Sequence, residues 1–310
     1  MPENQVVPRE WIGAARRELL AFRATSAGWG YRNGSRLSVE PTALAGLALV
    51  TSSEDSHTDE SIVRRAADWL VSIQNPDGSL GISVGHSSPC WPTPYALLLW
   101  NTLTGYEQPR RRAAAWLLQQ QGRTSAGSDP DHLIGHDTTL VGWPWVTDTH
   151  SWLEPTAIAI LALGREGHGD HRRVRDGIRL ISDRALPEGG WNYGNKAAFG
   201  NILRPQPAPT GLALLALAQT EATSSVIKNG VQYLRETLPN TRAPASLGWG
   251  VLGLRLWNEA PPESTMWLTE AYRQSAGRPD GATRLAMLLL AAGEGSLPLF
   301  VGKQTGGRRG

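Results

Sequence analysis

One short motif recurs along the chain and restricts the folds open to it. A Pro-Thr pair begins at positions 41, 92, 155 and 209, and an apolar run rich in Ala and Leu follows each pair. Proline is tolerated in a first helical turn, because the N–H that it lacks would have no partner there. Each pair therefore predicts a helix start. The runs are apolar nearly all round, which is typical of helices buried on most sides. Two weaker copies lie at 245–256 and 281–292.

A more amphipathic segment precedes each of these buried helices. In residues 61–74, apolar side chains recur at helical spacing on one face and charged side chains lie opposite. Comparable segments lie at 9–22, 108–121, 171–183, 224–238 and 264–274. No run alternates as a strand would. Six outer helices alternating with six inner ones predict an all-α fold, an (α/α)6 toroid of six helical hairpins. We expect one domain at 1–296 and a flexible C-terminal tail at 297–310.

Charge and cysteine content exclude several classes of function. The net charge is +2 and the basic residues are dispersed, so no nucleic-acid partner is expected. Cys90 is the one cysteine, which excludes an intrachain disulfide and suits a reducing compartment. The N-terminus shows no apolar signal segment, and the longest apolar runs reach about eight residues where a membrane span needs ~20. These features predict a cytoplasmic protein without a membrane span; peripheral membrane contact stays open.

Two outer segments carry a recognisable motif. Residues 65–80, RAADWLVSIQNPDGSL, have a basic residue, small residues, Trp69, Gln74 and Gly78 in order, and 112–121, RAAAWLLQQQ, repeat the first part. The pattern resembles the QW motif of the prenyltransferase and squalene-cyclase superfamily, with Leu80 in place of the final Trp. Weaker copies lie at 177–191 and 230–249. The resemblance covers roughly residues 9–293 and implies two concentric rings of six helices.

The resemblance also suggests a catalytic acid. Class II terpene cyclases place an Asp-x-Asp-Asp motif directly before Thr-Ala at an inner-helix start, and its middle Asp donates a proton. The matching stretch is 152–157, WLEPTA, which puts Glu154 on the donor position but lacks the flanking acids. An acid that protonates an alkene or epoxide needs neighbours that keep it protonated, and we expect Asp148 and His150 to do so. Glu40 has the same Glu-Pro-Thr context, where a carboxylate also complements the helix dipole.

The prenyltransferase branch of the superfamily implies a different chemistry. Its β-subunits hold zinc with Asp, Cys and His, and Cys90, Asp148 and His150 would be the ligands of such a site. No Asp-x-Cys motif is present, and a buried inert thiol is the usual fate of a lone cysteine. We expect no metal and no cofactor, and retain the zinc-dependent prenyltransferase-like subunit as an alternative.

The loops between outer and inner helices carry the remaining candidates. The third loop is rich in acidic and histidine side chains: Asp129, Asp131, His132, His136, Asp137, Asp148, His150 and Glu154. Aromatic residues recur in the loops and serve either as plates packed on helix ends or as a cavity lining whose π faces bind a prenyl chain or a carbocation. The candidates for substrate contact are Trp29, Tyr31, Trp91, Trp143, Trp145, Trp152, Trp191, Tyr193 and Trp249.

Together these features favour a terpene cyclase-like protein that binds an isoprenoid, or another apolar small molecule, and cyclises it by protonation. Glu154 would be the acid, tuned by Asp148 and His150. A second interpretation is a non-catalytic toroid that holds a lipid or a protein partner at its mouth. The sequence does not separate the two, since fold does not fix function.

Overall fold

A computed structural model describes residues 10–24, 27–52, 56–125, 134–218 and 225–293. The outer helices are α1 (Glu10–Ala21), α3 (Ser56–Ser72), α5 (Glu107–Gln119), α7 (Arg172–Asp183), α9 (Ser225–Thr237) and α11 (Ser264–Ser275). The inner helices are α2 (Val39–Thr51), α4 (Thr93–Trp100), α6 (Leu153–Arg165), α8 (Pro207–Leu217), α10 (Pro244–Leu256) and α12 (Gly281–Ala292). A 3-10 turn at Leu238–Asn240 follows α9. The proposed tail at 297–310 lies outside the described residues.

The six inner helices form a closed ring. Each contacts the next inner helix along the chain, and α12 contacts α2. Each outer helix from α3 to α11 packs on the inner helices before and after it, and α1 packs on α12. The predicted all-α fold of helical hairpins is confirmed. The inner helices begin at one end of the ring, called the mouth below, where the loops from the outer helices also lie.

Small residues let the inner helices approach closely. Gly211 on α8 faces the backbone of α10, where an added Cβ would lie 2.2 Å from the carbonyl oxygen of Trp249. Large apolar side chains fill the rest of the ring, and the inner helices are buried along most of their length. This packing explains why their sequences are apolar all round rather than on one stripe.

The threonine of each Pro-Thr pair anchors the loop in front of its helix. Thr42, Thr93, Thr156 and Thr210 are all fully buried. Each hydroxyl accepts a hydrogen bond from a backbone N–H in the preceding loop, at 2.9–3.0 Å from Trp29, Leu80, Trp143 and Trp191 respectively. A buried N–H without a partner would cost about 1–3 kcal/mol, so these bonds fix where each loop meets the ring.

In three of these loops, a tryptophan forms a hydrogen bond with the last turn of the preceding outer helix. The indole N–H groups of Trp29, Trp143 and Trp191 donate to the carbonyl oxygens of Leu19, Leu117 and Ile181, at 2.7–2.8 Å. Each acceptor lies two residues before its helix ends. The last carbonyl groups of a helix have no partner within it, so the indoles satisfy them.

Two features differ from the sequence prediction. Helix α3 begins at Ser56, earlier than the amphipathic pattern indicates, and a small hairpin pairs β1 (Ala197–Ala198) with β2 (Asn201–Ile202). Strands of two residues are too short to show an alternating pattern. No helix among the described residues has the length and apolar character that crossing a membrane would need.

Candidate active site

Two glutamates occupy equivalent positions at the mouth. Glu40 is the second residue of α2 and Glu154 is the second residue of α6, and both side chains are half-buried. Backbone hydrogen bonds from Val39 to Ile82 and from Leu153 to Tyr193, each 2.9 Å, tie the starts of these helices to the next loop along the chain. These bonds fix the position of the backbone from which each carboxyl group extends.

Burial makes both carboxyl groups weak acids. It raises the pKa of Glu40 from an ordinary value of 4.5 to about 7, and the hydrogen bond from Tyr31 opposes part of that rise. Burial also raises the pKa of Glu154 to about 7, and the negative charge of Glu40 raises it further. Like charges in a poorly hydrated site disfavour a second ionisation, so near neutral pH the pair retains a proton.

Tyrosines surround this pair. The Tyr31 hydroxyl donates to the Oε2 atom of Glu40 at 2.7 Å. Tyr95, on helix α4 between α2 and α6, is fully buried, and its pKa is raised by burial and by the charges of Glu154 and Glu40. Burial and the charge of Glu154 likewise raise the pKa of Tyr193, which is 42% exposed. These hydroxyl groups stay protonated and are available as donors.

The predicted partners of Glu154 do not reach it. Asp148 and His150 are both exposed, and Asp148 takes a left-handed backbone conformation with φ 64°. Neither contributes to the pKa rise of Glu154, whose charged neighbour is Glu40. Residues 144–151 form a turn-rich loop whose ends pair as a bridge between Pro144 and Ser151, and this carries Asp148 and His150 outward. The expectation that they tune Glu154 is therefore corrected.

Four of the predicted substrate-contact aromatics are buried in the fold. Trp29, Trp143 and Trp191 are at most 2% exposed and bind outer-helix carbonyl groups as described above. Trp249 is 5% exposed and lies inside α10, not in a loop. These side chains support the ring, so the prediction that they contact substrate is corrected.

The other aromatic candidates remain at the mouth. Trp91 lies edge-on to Trp145, with ring centroids 5.1 Å apart, and edge-on to Tyr95 at 6.0 Å. Trp152, 38% exposed, packs on Gly194, where a Cβ would come within 2.6 Å of the indole. The mouth, where Glu40 and Glu154 lie, therefore also presents half-buried and exposed aromatic side chains.

The zinc alternative gains no support from the geometry. Within the described ranges, which include Cys90, Asp148 and His150, no three His, Cys, Asp or Glu side chains come together as metal ligands. Cys90 is 5% exposed, and burial raises the pKa of its thiol to about 11, which disfavours the thiolate that binds metal.

The polar loop before α6 is only partly described. Asp129, Asp131 and His132 lie outside the described residues. His136 is half-buried, and burial lowers its pKa. Asp137 is exposed and accepts hydrogen bonds from the backbone and hydroxyl of Thr139, an arrangement typical of a turn.

The arrangement of helices is also found in known protein structures. No family model matches the chain, and no curated protein matches its sequence. Its structure is similar to that of the type II terpene cyclase MstE from Scytonema, with TM-score 0.58 and 18% identity over 87% of this chain and 78% of that one. This chain shares its fold with that structure. A variant of MstE in complex with merosterolic acid A, its product, is similar at TM-score 0.59 and 18% identity, over 87% and 80% of the chains. A protein from Actinoplanes is similar at TM-score 0.54 and 19% identity, over 87% and 82%.

Two contributors to this site could not be assigned from the sequence alone. Tyr95 follows a Pro-Thr-Pro segment inside an apolar run, and only its place between α2 and α6 brings it near both glutamates. Glu40 has the same Glu-Pro-Thr context as Glu154, and that context indicates only an interaction with the dipole of its own helix. The signal that could have linked them was the repeat itself, because residues at equivalent positions of inner helices share the mouth.

Proposed function

We propose that this protein binds an isoprenoid at the mouth of the helix ring and starts its cyclisation by protonation, with Glu154 as the acid. The observation that carries the proposal is the half-buried Glu154 at the start of α6, whose pKa of about 7 leaves it protonated in part at neutral pH. An acid in this state has a proton to donate where an ordinary glutamate has none.

The proposed reaction balances without an oxidant or reductant. The carboxyl proton of Glu154 bonds to one carbon of a double bond, and the π electrons leave the other carbon as a cation. The next double bond of the chain attacks that cation and closes a ring. The last cation loses a proton to water, and the Glu154 carboxylate takes up a proton from the solvent. The product is therefore an isomer of the substrate.

The aromatic side chains at the mouth fit such a reaction. Aromatic faces attract cations, by about 0.5–2 kcal/mol each, and bind apolar chains. Trp91, Trp145, Trp152 and Tyr193 supply these faces. The similarity to MstE supports the substrate class, since one MstE variant is known in complex with geranylgeranyl dihydroxybenzoate, its substrate (TM-score 0.58, 19% identity).

The test is turnover of linear isoprenoids in heavy water. The purified protein is incubated with isoprenoid alcohols, diphosphates and aryl-isoprenoids, and products are identified by mass spectrometry. We expect a cyclic isomer with one deuterium at the initiating carbon, and at least about a 100-fold loss of rate in Glu154→Gln. Glu188→Gln, a change at an exposed glutamate of a neighbouring loop, is the matched control. Unchanged turnover in Glu154→Gln would exclude this mechanism, and binding without any product would support the non-catalytic alternative.

A further inference from the structure

A second carboxyl group at the mouth competes with Glu154 for a proton. Glu40 also has a half-buried carboxyl group at an inner-helix start, and its charge acts on Glu154. Two carboxyl groups that interact in this way leave open which of them loses its proton last, and that proton is productive only on the carboxyl group that faces the substrate. Some feature of the site has to determine which glutamate holds it.

Tyr31 supplies an asymmetry between the two glutamates. Its hydroxyl donates to Glu40 at 2.7 Å, whereas no side-chain hydrogen bond joins the Glu154 carboxyl group to Tyr31 or to any other described residue. A phenol that donates to a carboxylate stabilises the ionised form, and such charge-assisted bonds are stronger than neutral ones. Burial and the neighbouring Glu40 raise the pKa of Tyr31 far above its ordinary value, so the phenol keeps its proton and stays a donor.

We infer that Tyr31 acts as a positioning residue that favours the ionised form of Glu40, and that Glu40 in turn favours the protonated form of Glu154, so that Glu40 loses its proton first and Glu154 last. The catalytic meaning of this inference rests on the proposed function, but the location of the proton is a property of the free protein. The hydrogen bond from Tyr31 stabilises the carboxylate form of Glu40, and the negative charge on Glu40 disfavours ionisation of Glu154.

The other groups around Glu154 leave this assignment in place. Helix α4 presents Tyr95, the loop before α8 presents Tyr193, and helix α8 has no ionisable side chain. On the α7 side, Arg184 donates to the backbone carbonyl of Ser151 at 2.8 Å. Among the described residues, Glu40 is the charged group that shifts the pKa of Glu154.

The experiment follows the two carboxyl groups directly and without substrate. Protein labelled with 13C at the glutamate side-chain carboxyl carbon is titrated by NMR, and Glu154→Gln and Glu40→Gln assign the two signals. In the wild type we expect the Glu40 signal to titrate first and that of Glu154 last as pH rises. Glu40→Gln should lower the midpoint of Glu154 by about one pH unit or more, because the neighbouring negative charge is gone.

Tyr31→Phe is the decisive variant. It should raise the midpoint of Glu40 and lower that of Glu154, which moves the proton from Glu154 towards Glu40. Tyr106→Phe, which removes a 2.6 Å tyrosine–carboxylate bond to Asp68 in the outer layer, is the matched control and should move neither midpoint. A Glu154 midpoint that is unchanged in both Glu40→Gln and Tyr31→Phe overturns the inference.

The titration separates this inference from the proposed function. If the midpoints shift as expected but no isoprenoid is cyclised, the proton placement holds and the proposed function fails. If isoprenoids are cyclised but the midpoints do not respond, the proposed function holds and the role of Tyr31 fails. Circular dichroism on each variant shows whether it is folded, and the two substitutions test the same link independently.

Discussion

Glu40 and Glu154 are each the second residue of an inner helix, and the charge of Glu40 adds to the rise that burial produces in the pKa of Glu154. Helix α4 lies between α2 and α6. Burial raises the pKa of its Tyr95, and the charges of Glu154 and Glu40 raise it further. An isolated glutamate in front of Pro-Thr would only complement its own helix dipole. The repeat, by placing two of them at one mouth, turns a local capping feature into an interacting pair of acids.

The first prediction concerns the pH dependence of turnover. The proposed acid has to be protonated, so kcat/KM should be highest below about pH 7 and fall towards tenfold per pH unit above it. In Glu40→Gln the fall should begin at lower pH, because the charge that raises the pKa of Glu154 is absent. A pH–rate profile of the two proteins tests this, and superimposable profiles would contradict it.

The second prediction concerns stability, and its sign follows from proton binding. The pKa of Glu154 is about 7 in the folded protein and near 4.5 in the unfolded chain, so between these values the folded state binds more protons. This contribution to the free energy of unfolding is therefore fully present below about pH 4.5 and lost as pH rises through about 7. Relative to wild type, Glu154→Gln should be more stable at about pH 8 than at about pH 5, by roughly 2 kcal/mol after allowance for solvent screening.

Urea denaturation at the two pH values measures this difference. Glu188→Gln should show the same difference from wild type at both, since its side chain is exposed. A Glu154→Gln protein that loses stability relative to wild type as pH rises would have the opposite sign, would show that the folded protein stabilises the carboxylate, and would contradict the prediction.

The third prediction separates structural from exposed tryptophans. Trp143 donates its indole N–H to Leu117, and the Arg173 guanidinium lies 4.3 Å from the centre of its ring. Trp143→Phe removes this donor and part of the buried area, and should lower the free energy of unfolding by about 2–4 kcal/mol. Trp152→Phe, at an exposed ring of the mouth, should change it by less than about 1 kcal/mol and raise the KM for an isoprenoid instead. Similar losses of stability in both would contradict this division.

The ring could be predicted from the sequence because its causes are local and repeated. The Pro-Thr pairs at the helix starts, the apolar runs and the amphipathic segments all recur along the chain. A correct interpretation of one hairpin therefore predicts the others. The partners of Glu154 could not be found in the same way. Asp148 and His150 are close along the chain but are carried outward by a loop, whereas Glu40 is 114 positions away and close only because the ring closes.

Tryptophan roles show the same limit. Trp143 and Trp152 both lie in the loop before α6, and nothing in composition separates them. Their roles depend on whether an outer-helix carbonyl lies within reach of the indole N–H. The position of the loop on the ring decides this, and a backbone N–H that donates to the Thr156 hydroxyl fixes that position. The sequence indicates this threonine only as part of a helix start.

The fourth prediction tests that threonine. The Thr156 hydroxyl accepts the N–H of Trp143 at 2.9 Å in a fully buried place, two residues from Glu154. Thr156→Val keeps the shape but leaves the N–H without a partner, which should lower the free energy of unfolding by about 1–3 kcal/mol, whereas Thr156→Ser retains the hydroxyl and should lose about half as much or less. Thr147→Val, an exposed threonine in the same loop, should be neutral within about 0.5 kcal/mol. Equal losses in the Val and Ser variants would show that packing of the methyl group, not the hydrogen bond, anchors the loop to the helix that carries Glu154.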